Sequence, residues 1–109
     1  MPALKSDLSI EQGATYSHGW AVTYNGTAID ATWTARGQIR KRPADDVVLH
    51  DLAPTVNADG SVVIGVDAAD SSAWTWWSAV YDVEVVNADG SVVLRVAEGR
   101  VTVSPEVTR

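Results

Sequence analysis

Hydrophobic and polar positions alternate with a period of two along most of the chain. In residues 8–12, Leu8 and Ile10 share one face while Ser9 and Glu11 share the other. Such alternation is typical of half-buried β-strands. The strands predicted in this way span residues 8–12, 18–24, 31–41, 47–52, 61–67, 79–86, 91–97 and 99–104.

Residues 68–78, with the sequence AADSSAWTWWS, lose this period, and we expect a turn or a single helical turn there. The strand over residues 47–52 is predicted to be peripheral, because Pro54 follows it closely. Turn signals separate the strands at intervals typical of a two-sheet antiparallel sandwich. The pattern therefore predicts an all-β fold of about seven to nine short strands, with a small barrel as the alternative.

The heptapeptide NADGSVV occurs twice, at residues 57–63 and 87–93. Asn and Asp supply local hydrogen bonds, and Gly takes the positive φ that closes a type I turn with a bulge. We interpret the repeat as one hairpin turn used twice. The alternative is a calcium loop built on Asn57, Asp59, Asn87 and Asp89, although a full site needs about six to eight oxygen ligands and no EF-hand glutamate is in place.

The length and the net charge of the chain limit the functions and partners that it can have. A chain of 109 residues is expected to form a single domain, 1–109, with residues 1–6 and 105–109 as extended tails. Eight Lys and Arg against 14 Asp and Glu give a net charge of −6, which argues against nucleic acid or anionic lipid as a partner. No run approaches the ~20 apolar residues of a membrane helix, and the first twelve residues predict synthesis without a Sec-type signal.

The five tryptophans fall into two groups. Trp20 and Trp33 lie on the apolar faces of their strands, which predicts core positions. Trp74, Trp76 and Trp77 fall where the period fails, so their rings cannot all point the same way, and at least one is expected to be exposed or covered by a partner. The group could close one end of the core, anchor a protein interface or stack on sugars.

Candidate catalytic groups are few. His18 and His50 are the only histidines, and neither has a companion at metal-ligand or triad spacing. The chain has no cysteine, which removes disulfides and thiolate chemistry. Nucleophile-elbow and phosphate-binding motifs do not occur, and the paired acids, Asp45 with Asp46 and Asp67 with Asp70, are typical of solvated turns. We therefore predict no enzyme activity, no cofactor and no metal site.

A basic run, Arg40, Lys41 and Arg42, stands out in this acidic chain. One interpretation is a solvated strand end that discourages edge pairing. The other is an electrostatic contact with an acidic neighbouring subunit.

Two longer stretches of the chain are IEQGATYSHGWAVTYNGTAIDATWTARGQIRK and YDVEVVNADGSVVLRVAEGRVTVSPEVTR. Both resemble segments of small virion proteins of long-tailed bacteriophages, notably those of actinobacteria. The resemblance implies an antiparallel immunoglobulin-like β-sandwich that acts as a structural subunit, related to collar and tail-fibre attachment proteins, and it carries over no active-site residue. Residues 74–77 depart from the family pattern, in which an Ala-rich or Leu-rich helical turn is more usual.

The expected function is that of a non-enzymatic subunit of the phage virion, made in the host cytoplasm and placed in the tail or collar. Other virion proteins are the expected partners, in a homo-oligomeric ring or another multi-copy assembly. Alternatives are a capsid decoration or head-to-tail connector protein, and a carbohydrate-binding module that uses the tryptophans. The candidate interface residues are Trp74, Trp76, Trp77, Arg40, Lys41, Arg42, Pro105 and Val107.

Overall fold

A computed structural model describes residues 3–108, and nearly all of its regular structure is β. Five of the eleven strands in this part of the chain have only two residues, which is why the count exceeds the predicted seven to nine. The elements are β1 Leu4–Lys5, β2 Leu8–Glu11, β3 Tyr16–Ala21, β4 Thr23–Tyr24, β5 Thr27–Ala28, β6 Thr34–Arg40, β7 His50–Asp51, β8 Thr55–Val56, β9 Ser61–Val66, α1 Ala68–Ser72, β10 Ser78–Val86 and β11 Val93–Ser104.

The larger sheet, sheet A, has the strand order β1-β11-β10-β6-β7, with β2 also paired to β11. Strand β10 pairs antiparallel with both β6 and β11. Strands β1 and β2 lie one after the other along the free edge of β11 and pair with it in parallel. Sheet A is therefore mixed, whereas the sequence pattern predicts only antiparallel pairing.

The smaller sheet, sheet B, has the antiparallel order β3-β9-β8. A separate hairpin of β4 and β5 follows β3. Its turn residues Asn25 and Gly26 have φ values of 53° and 80°, the left-handed conformation that a type I′ turn requires. An Asn-Gly dipeptide directly after a strand is a strong sequence signal for this turn.

Both sheets contribute side chains to one hydrophobic core. Trp20 of β3 is buried, as predicted, and its ring stacks on Tyr81 of β10 with centroids 6.4 Å apart. Trp33 is only partly buried and packs beside Tyr24, with ring centroids 5.7 Å apart. Because burying one large apolar side chain stabilises a fold by about 1.5–3 kcal/mol, this core is the main source of stability in a chain without disulfides.

The C-terminal strand differs from the prediction. Residues 91–97 and 99–104 were expected to form two strands, but β11 runs unbroken from Val93 to Ser104. A register shift opposite Val83 and Glu84 places a β-bulge at Val96, so that Val96 and Ala97 are both buried. The bulge reverses the alternation within a single strand, and the prediction of two strands is wrong.

The predicted N-terminal tail, residues 1–6, is partly built into sheet A. Ser6 lies between β1 and β2, its N–H donates to the Glu98 carbonyl at 2.9 Å, and its carbonyl accepts a hydrogen bond from the Tyr81 hydroxyl. Burial raises the pKa of Tyr81 to about 12. Asp7 Oδ1 then accepts a hydrogen bond from the Arg100 N–H at 2.9 Å. Of the two predicted tails, residues 1, 2 and 109 lie outside the described residues.

Candidate protein-interaction surfaces

The three clustered tryptophans occupy different environments. Trp74 is 8% exposed and belongs to the core, where the rings of His50 and Trp76 lie 5.3 and 4.6 Å from its own. Trp76 is half-buried against the same core. Trp77 is 45% exposed. The expectation that at least one ring is exposed is confirmed, and the ring in question is that of Trp77.

Hydrogen bonds fix the backbone of this segment. The Gln12 side-chain amide donates to the carbonyl of Trp74 at 3.2 Å. The N–H of Val103 donates to the Trp77 carbonyl at 2.9 Å, which extends the pairing of β10 with β11 by one residue. Fully buried Ser71 accepts a hydrogen bond from the Gly13 N–H at 2.9 Å. The Trp77 side chain is therefore exposed, while hydrogen bonds fix the position of its backbone.

The C-terminal segment begins at the same end of the domain. Gln12 Oε1 accepts a hydrogen bond from the Glu106 N–H at 2.8 Å, so one glutamine side chain joins the tryptophan segment to the tail. The Glu106 carboxylate packs over Gly13, where any Cβ would overlap it. Pro105 is exposed, and Val107 is 93% exposed. We call the surface formed by Trp77, Pro105 and Val107 the tryptophan end.

The basic run meets the tryptophan end through its middle residue. Lys41 Nζ donates to the carbonyl of Ser78, next to Trp77, at 2.9 Å. The Arg40 guanidinium donates to the Asp45 carbonyl and to Gln38 Oε1, both neutral acceptors. Arg42 forms an exposed ion pair with Asp45 at 3.4 Å. Hydrogen bonds thus join the basic run to β10 and to the loop after β6. Of its three residues, only Arg42 pairs with a carboxylate in the described part of the chain.

The outer face of sheet A carries ordered rows of charges that the sequence analysis missed. One row crosses β6, β10 and β11 through Arg36, Glu84 and Arg95, with an Arg36–Glu84 distance of 2.8 Å. The next row contains Gln38, Asp82, Glu98 and Lys5, with a Lys5–Glu98 distance of 3.3 Å. Arg95 lies 3.8–3.9 Å from Asp82, Glu84 and Glu98.

A third row consists of Arg40, Val80 and Arg100. Beside it lies an open cleft of about 690 Å³, which we call the sheet A cleft. Burial, and then the Glu84 charge, raise the pKa of Asp82 on its floor. The cleft is lined by Lys5, Asp7, Gln38, Arg40, Pro43, Val80, Tyr81, Asp82, Arg95, Glu98, Gly99 and Arg100.

A signal for these rows was present in the sequence. Every second residue of β6 and of β10 is polar or charged around Arg36 and Glu84. What the sequence did not reveal was the register that places the strands side by side, because the bulge at Val96 shifts β11 against β10.

The other residues considered for catalysis or metal binding do not lie together in one site. The rings of His18 and His50 contact Trp20 and Trp74 respectively. Within residues 3–108, no group of three or more His, Asp or Glu side chains is arranged to hold a metal ion. In the two possible calcium loops, Asp59 and Asp89 use their Oδ1 atoms to accept hydrogen bonds from the following serine. Over the same residues, no helix has the length and apolar character needed to span a bilayer.

No protein-family model matches the sequence, and no curated protein does. The resemblance to phage virion proteins therefore stays a hypothesis.

Proposed function

We propose that the chain is an immunoglobulin-like β-sandwich that serves as a non-enzymatic structural subunit of a tailed-phage virion, in the tail or collar. The strand order supports the fold assignment. Strands β2, β11, β10, β6 and β7 correspond to one sheet of an immunoglobulin-like sandwich, and β3, β9 and β8 to the other. The parallel pairing of both β1 and β2 with β11 departs from a purely antiparallel arrangement.

The two stretches that resemble virion proteins form neighbouring strands. The first stretch includes the second half of β2 and all of β3, β4, β5 and β6, and the second includes most of β10 and all of β11. Strand β6 pairs with β10, and β2 pairs with β11, so these four strands are continuous in sheet A. The resemblance thus covers most of sheet A together with one strand of sheet B and the β4–β5 hairpin.

The tryptophan end is the observation that carries the proposed role in assembly. Trp77 and Val107 expose apolar side chains, while hydrogen bonds hold the adjacent backbone at Trp77 and Glu106. An exposed aromatic side chain on an ordered backbone loses little conformational entropy on binding. Tryptophan is also enriched among the residues that contribute most to protein interfaces. The surface is suited to rigid docking on a neighbouring subunit.

The alternatives differ in how well they use this surface. A capsid decoration or connector protein would use the same fold and the same end, at another position in the particle. A carbohydrate-binding module would need exposed aromatic faces for stacking. Trp74 is buried beneath Trp76, so Trp77 is the only one of the three rings that is largely available to a sugar. The arrangement favours a protein partner.

Incorporation into particles tests the proposal. A phage whose copy of the gene is disrupted would be grown on cells that supply the wild type, Trp77→Ala, Val107→Asp or Val93→Asp, and purified particles would be analysed by mass spectrometry. Val93 is the matched control, because it is 48% exposed but lies at the opposite end of the twelve-residue β11. Thermal denaturation of each purified variant would establish that it folds.

We expect the wild type and Val93→Asp in the particles at equal copy number, and we expect the Trp77→Ala and Val107→Asp variants to be depleted about tenfold or more. Absence of the wild-type chain from particles would refute the virion assignment. Saturation-transfer NMR with a panel of mono- and oligosaccharides would decide the sugar alternative, since binding lost in Trp77→Ala would favour it over the assembly role.

A further inference from the structure

The described basic residues are confined to sheet A and its loop, whereas acidic residues occur in both halves of the domain. All seven Lys and Arg residues in the described part of the chain lie on β1, β6 and β11 or in the loop after β6, and thus belong to sheet A. Residues 12–33 and 52–77 supply sheet B, the β4–β5 hairpin and α1, and they contain no Lys or Arg. They do contain four exposed acids: Asp30, Asp59, Asp67 and Asp70.

Four basic and three acidic side chains line the sheet A cleft, and two of the basic ones form no ion pair with a described residue. Arg40 is hydrogen-bonded to neutral oxygens, and Arg100 makes no ion pair with any described residue. The two arginines flank Val80 on adjacent strands, which places their Cα atoms about 10 Å apart. A carboxylate entering this row would meet the two guanidinium groups on either side of Val80, a geometry that favours charge-assisted hydrogen bonds.

The outer face of sheet B has the complementary character. Its outward side chains are small and uncharged: Ser17, Gly19, Ala21, Thr55, Ser61, Val63 and Gly65. Acids stand at both ends of its central strand: Asp59 precedes β9, while Asp67 follows it and Asp70 lies three residues further on, in α1. Another protein surface can therefore approach the sheet closely without burying a charge in its centre, while carboxylates remain at the rim.

We propose that the sheet A cleft of one molecule binds the acidic rim of sheet B on a second copy of this chain. Because the two surfaces differ, the contact is heterologous, and repetition of it builds a ring or an open stack. The inference deepens the proposed function, on which it rests for the expectation of a multi-copy assembly. It adds that the partner at this surface is the chain itself.

The net charge of −6 opposes this contact at long range, which predicts an unusual dependence on salt. The Debye length is about 30 Å at 0.01 M salt, about 8 Å at 0.15 M and about 3 Å at 1 M. Whole-molecule repulsion therefore dominates at 0.01 M, while contact pairs are weakened at 1 M. Self-association, measured by sedimentation velocity of the full chain, is expected to be strongest near 0.15 M.

Neutralising either surface should weaken self-association about tenfold. The two variants are Arg40→Gln with Arg100→Gln, and Asp67→Asn with Asp70→Asn. A control for the first is Thr23→Glu with Thr27→Glu, which makes the same change of −2 in net charge on the exposed β4–β5 hairpin. A control for the second is Asp46→Asn with Asp89→Asn, which makes the same change of +2 in net charge in the loop after β6 and in the turn between β10 and β11. Both controls should associate within about twofold of the wild type.

Charge reversal gives the decisive result. Arg40→Glu with Arg100→Glu makes both surfaces acidic, and Asp67→Lys with Asp70→Lys makes both basic. Each variant alone should remain monomeric, whereas an equimolar mixture should associate through alternating copies. Circular dichroism and thermal denaturation would confirm that each folds, and Arg100→Glu alone serves as the milder variant because its side chain has no ion pair to lose.

The inference would be overturned if the wild type stayed monomeric in all three salt concentrations at protein concentrations up to about 1 mM. It would also be overturned if the mixture of the two charge-reversed variants failed to associate. Equal weakening in the controls would also count against it, since net charge alone would then explain the effect. The results of these experiments can be distinguished from those of the particle-incorporation test. Particles that incorporate Arg40→Gln with Arg100→Gln normally would leave the proposed function standing, while self-association of a chain absent from particles would leave only this inference.

Discussion

The two NADGSVV segments share most of their turn hydrogen bonds in different surroundings, although the Asn57 N–H donates to the Ser61 carbonyl and the Asn87 N–H to the Val92 carbonyl. In each, the glycine N–H donates to the asparagine carbonyl at 3.1 Å, and the aspartate Oδ1 accepts from the serine N–H at 2.9 Å. The asparagine side-chain amide reaches the serine hydroxyl at 2.9 and 3.1 Å, respectively. Both glycines have the predicted positive φ, 89° and 79°. The heptapeptide determines its own turn.

The surroundings of the two turns are not alike. Gly60 is buried against the segment that flanks the β4–β5 hairpin, and its carbonyl accepts a hydrogen bond from Val22 at 3.0 Å. A methyl group added there would lie 2.9 Å from the Ile29 carbonyl oxygen. Gly90 is exposed, and a methyl group added there would meet no described atom within 4 Å. Identical sequence therefore does not imply identical tolerance, because tertiary contacts decide what each turn can accept.

The strands that follow the two turns also differ in burial, and again the first copy is the more buried. Ile64 of β9 is fully buried in the shared core, whereas its counterpart Leu94 of β11 is only partly buried. One copy of the motif thus leads into the interior of the domain, and the other leads along a sheet whose outer face carries the charge rows.

The largest expected effect is on these paired core positions. Ile64→Ala should lower the free energy of unfolding by about 4 kcal/mol, because a fully buried side chain leaves a cavity, and Leu94→Ala by about 2 kcal/mol. Urea denaturation measures both values, provided that the slope with denaturant is unchanged. Equal losses would mean that the two strands are equally buried in solution, and the contrast between the copies would fail.

The glycines provide the second test. Gly90→Ala should cost about 1 kcal/mol, which is the strain of a side chain at positive φ. Gly60→Ala should cost about 3 kcal/mol, because the added methyl group also overlaps backbone oxygens of Val22 and Ile29 that cannot easily move. The same urea measurements apply, with Gly90→Ala as the matched control. Similar values for the two variants would show that the turn at Gly60 relaxes away from its neighbours.

Local features were predictable because they depend on adjacent residues. The repeated turn, the Asn25-Gly26 turn and the helical turn at α1 each follow from side-chain and backbone preferences within a few residues. The alternation of β2, β6, β9 and β10 also followed, since each strand buries one face.

Features that depend on pairing between distant residues were not predictable. The parallel edge strand β1 has only two residues, too few for a periodic signal, and its position depends on Ser6, Asp7 and Tyr81, which are up to 75 residues apart. The bulge at Val96 inverted the pattern of β11. The same limit applies to the candidate surfaces. Which of the three tryptophans is exposed depends on Gln12 and Val103, and the cleft depends on the register of four strands.

The smallest expected effect concerns the turn aspartates, where the two copies should behave alike. Hydrogen bonds from the serine hydroxyl and then from the serine N–H lower the pKa of Asp59 and of Asp89 below the ordinary value. A carboxyl with a lowered pKa in the folded state stabilises the fold fully above its unfolded pKa of about 3.9, and this stabilisation is lost as the pH falls below that value. Acidification should therefore weaken both turns in the same pH range.

Carboxyl chemical shifts followed by NMR between about pH 2 and pH 6 would give both pKa values in the folded chain. Asp59→Asn and Asp89→Asn should each keep part of the turn, because an amide oxygen still accepts the serine N–H, but should remove that residue's share of the acid sensitivity. Since both carboxylates are exposed and make the same two serine hydrogen bonds, burial of Gly60 should not separate them. A much lower pKa for Asp59 than for Asp89 would show that the hairpin packed on Gly60 reaches the carboxylate, and that the first turn is not locally determined.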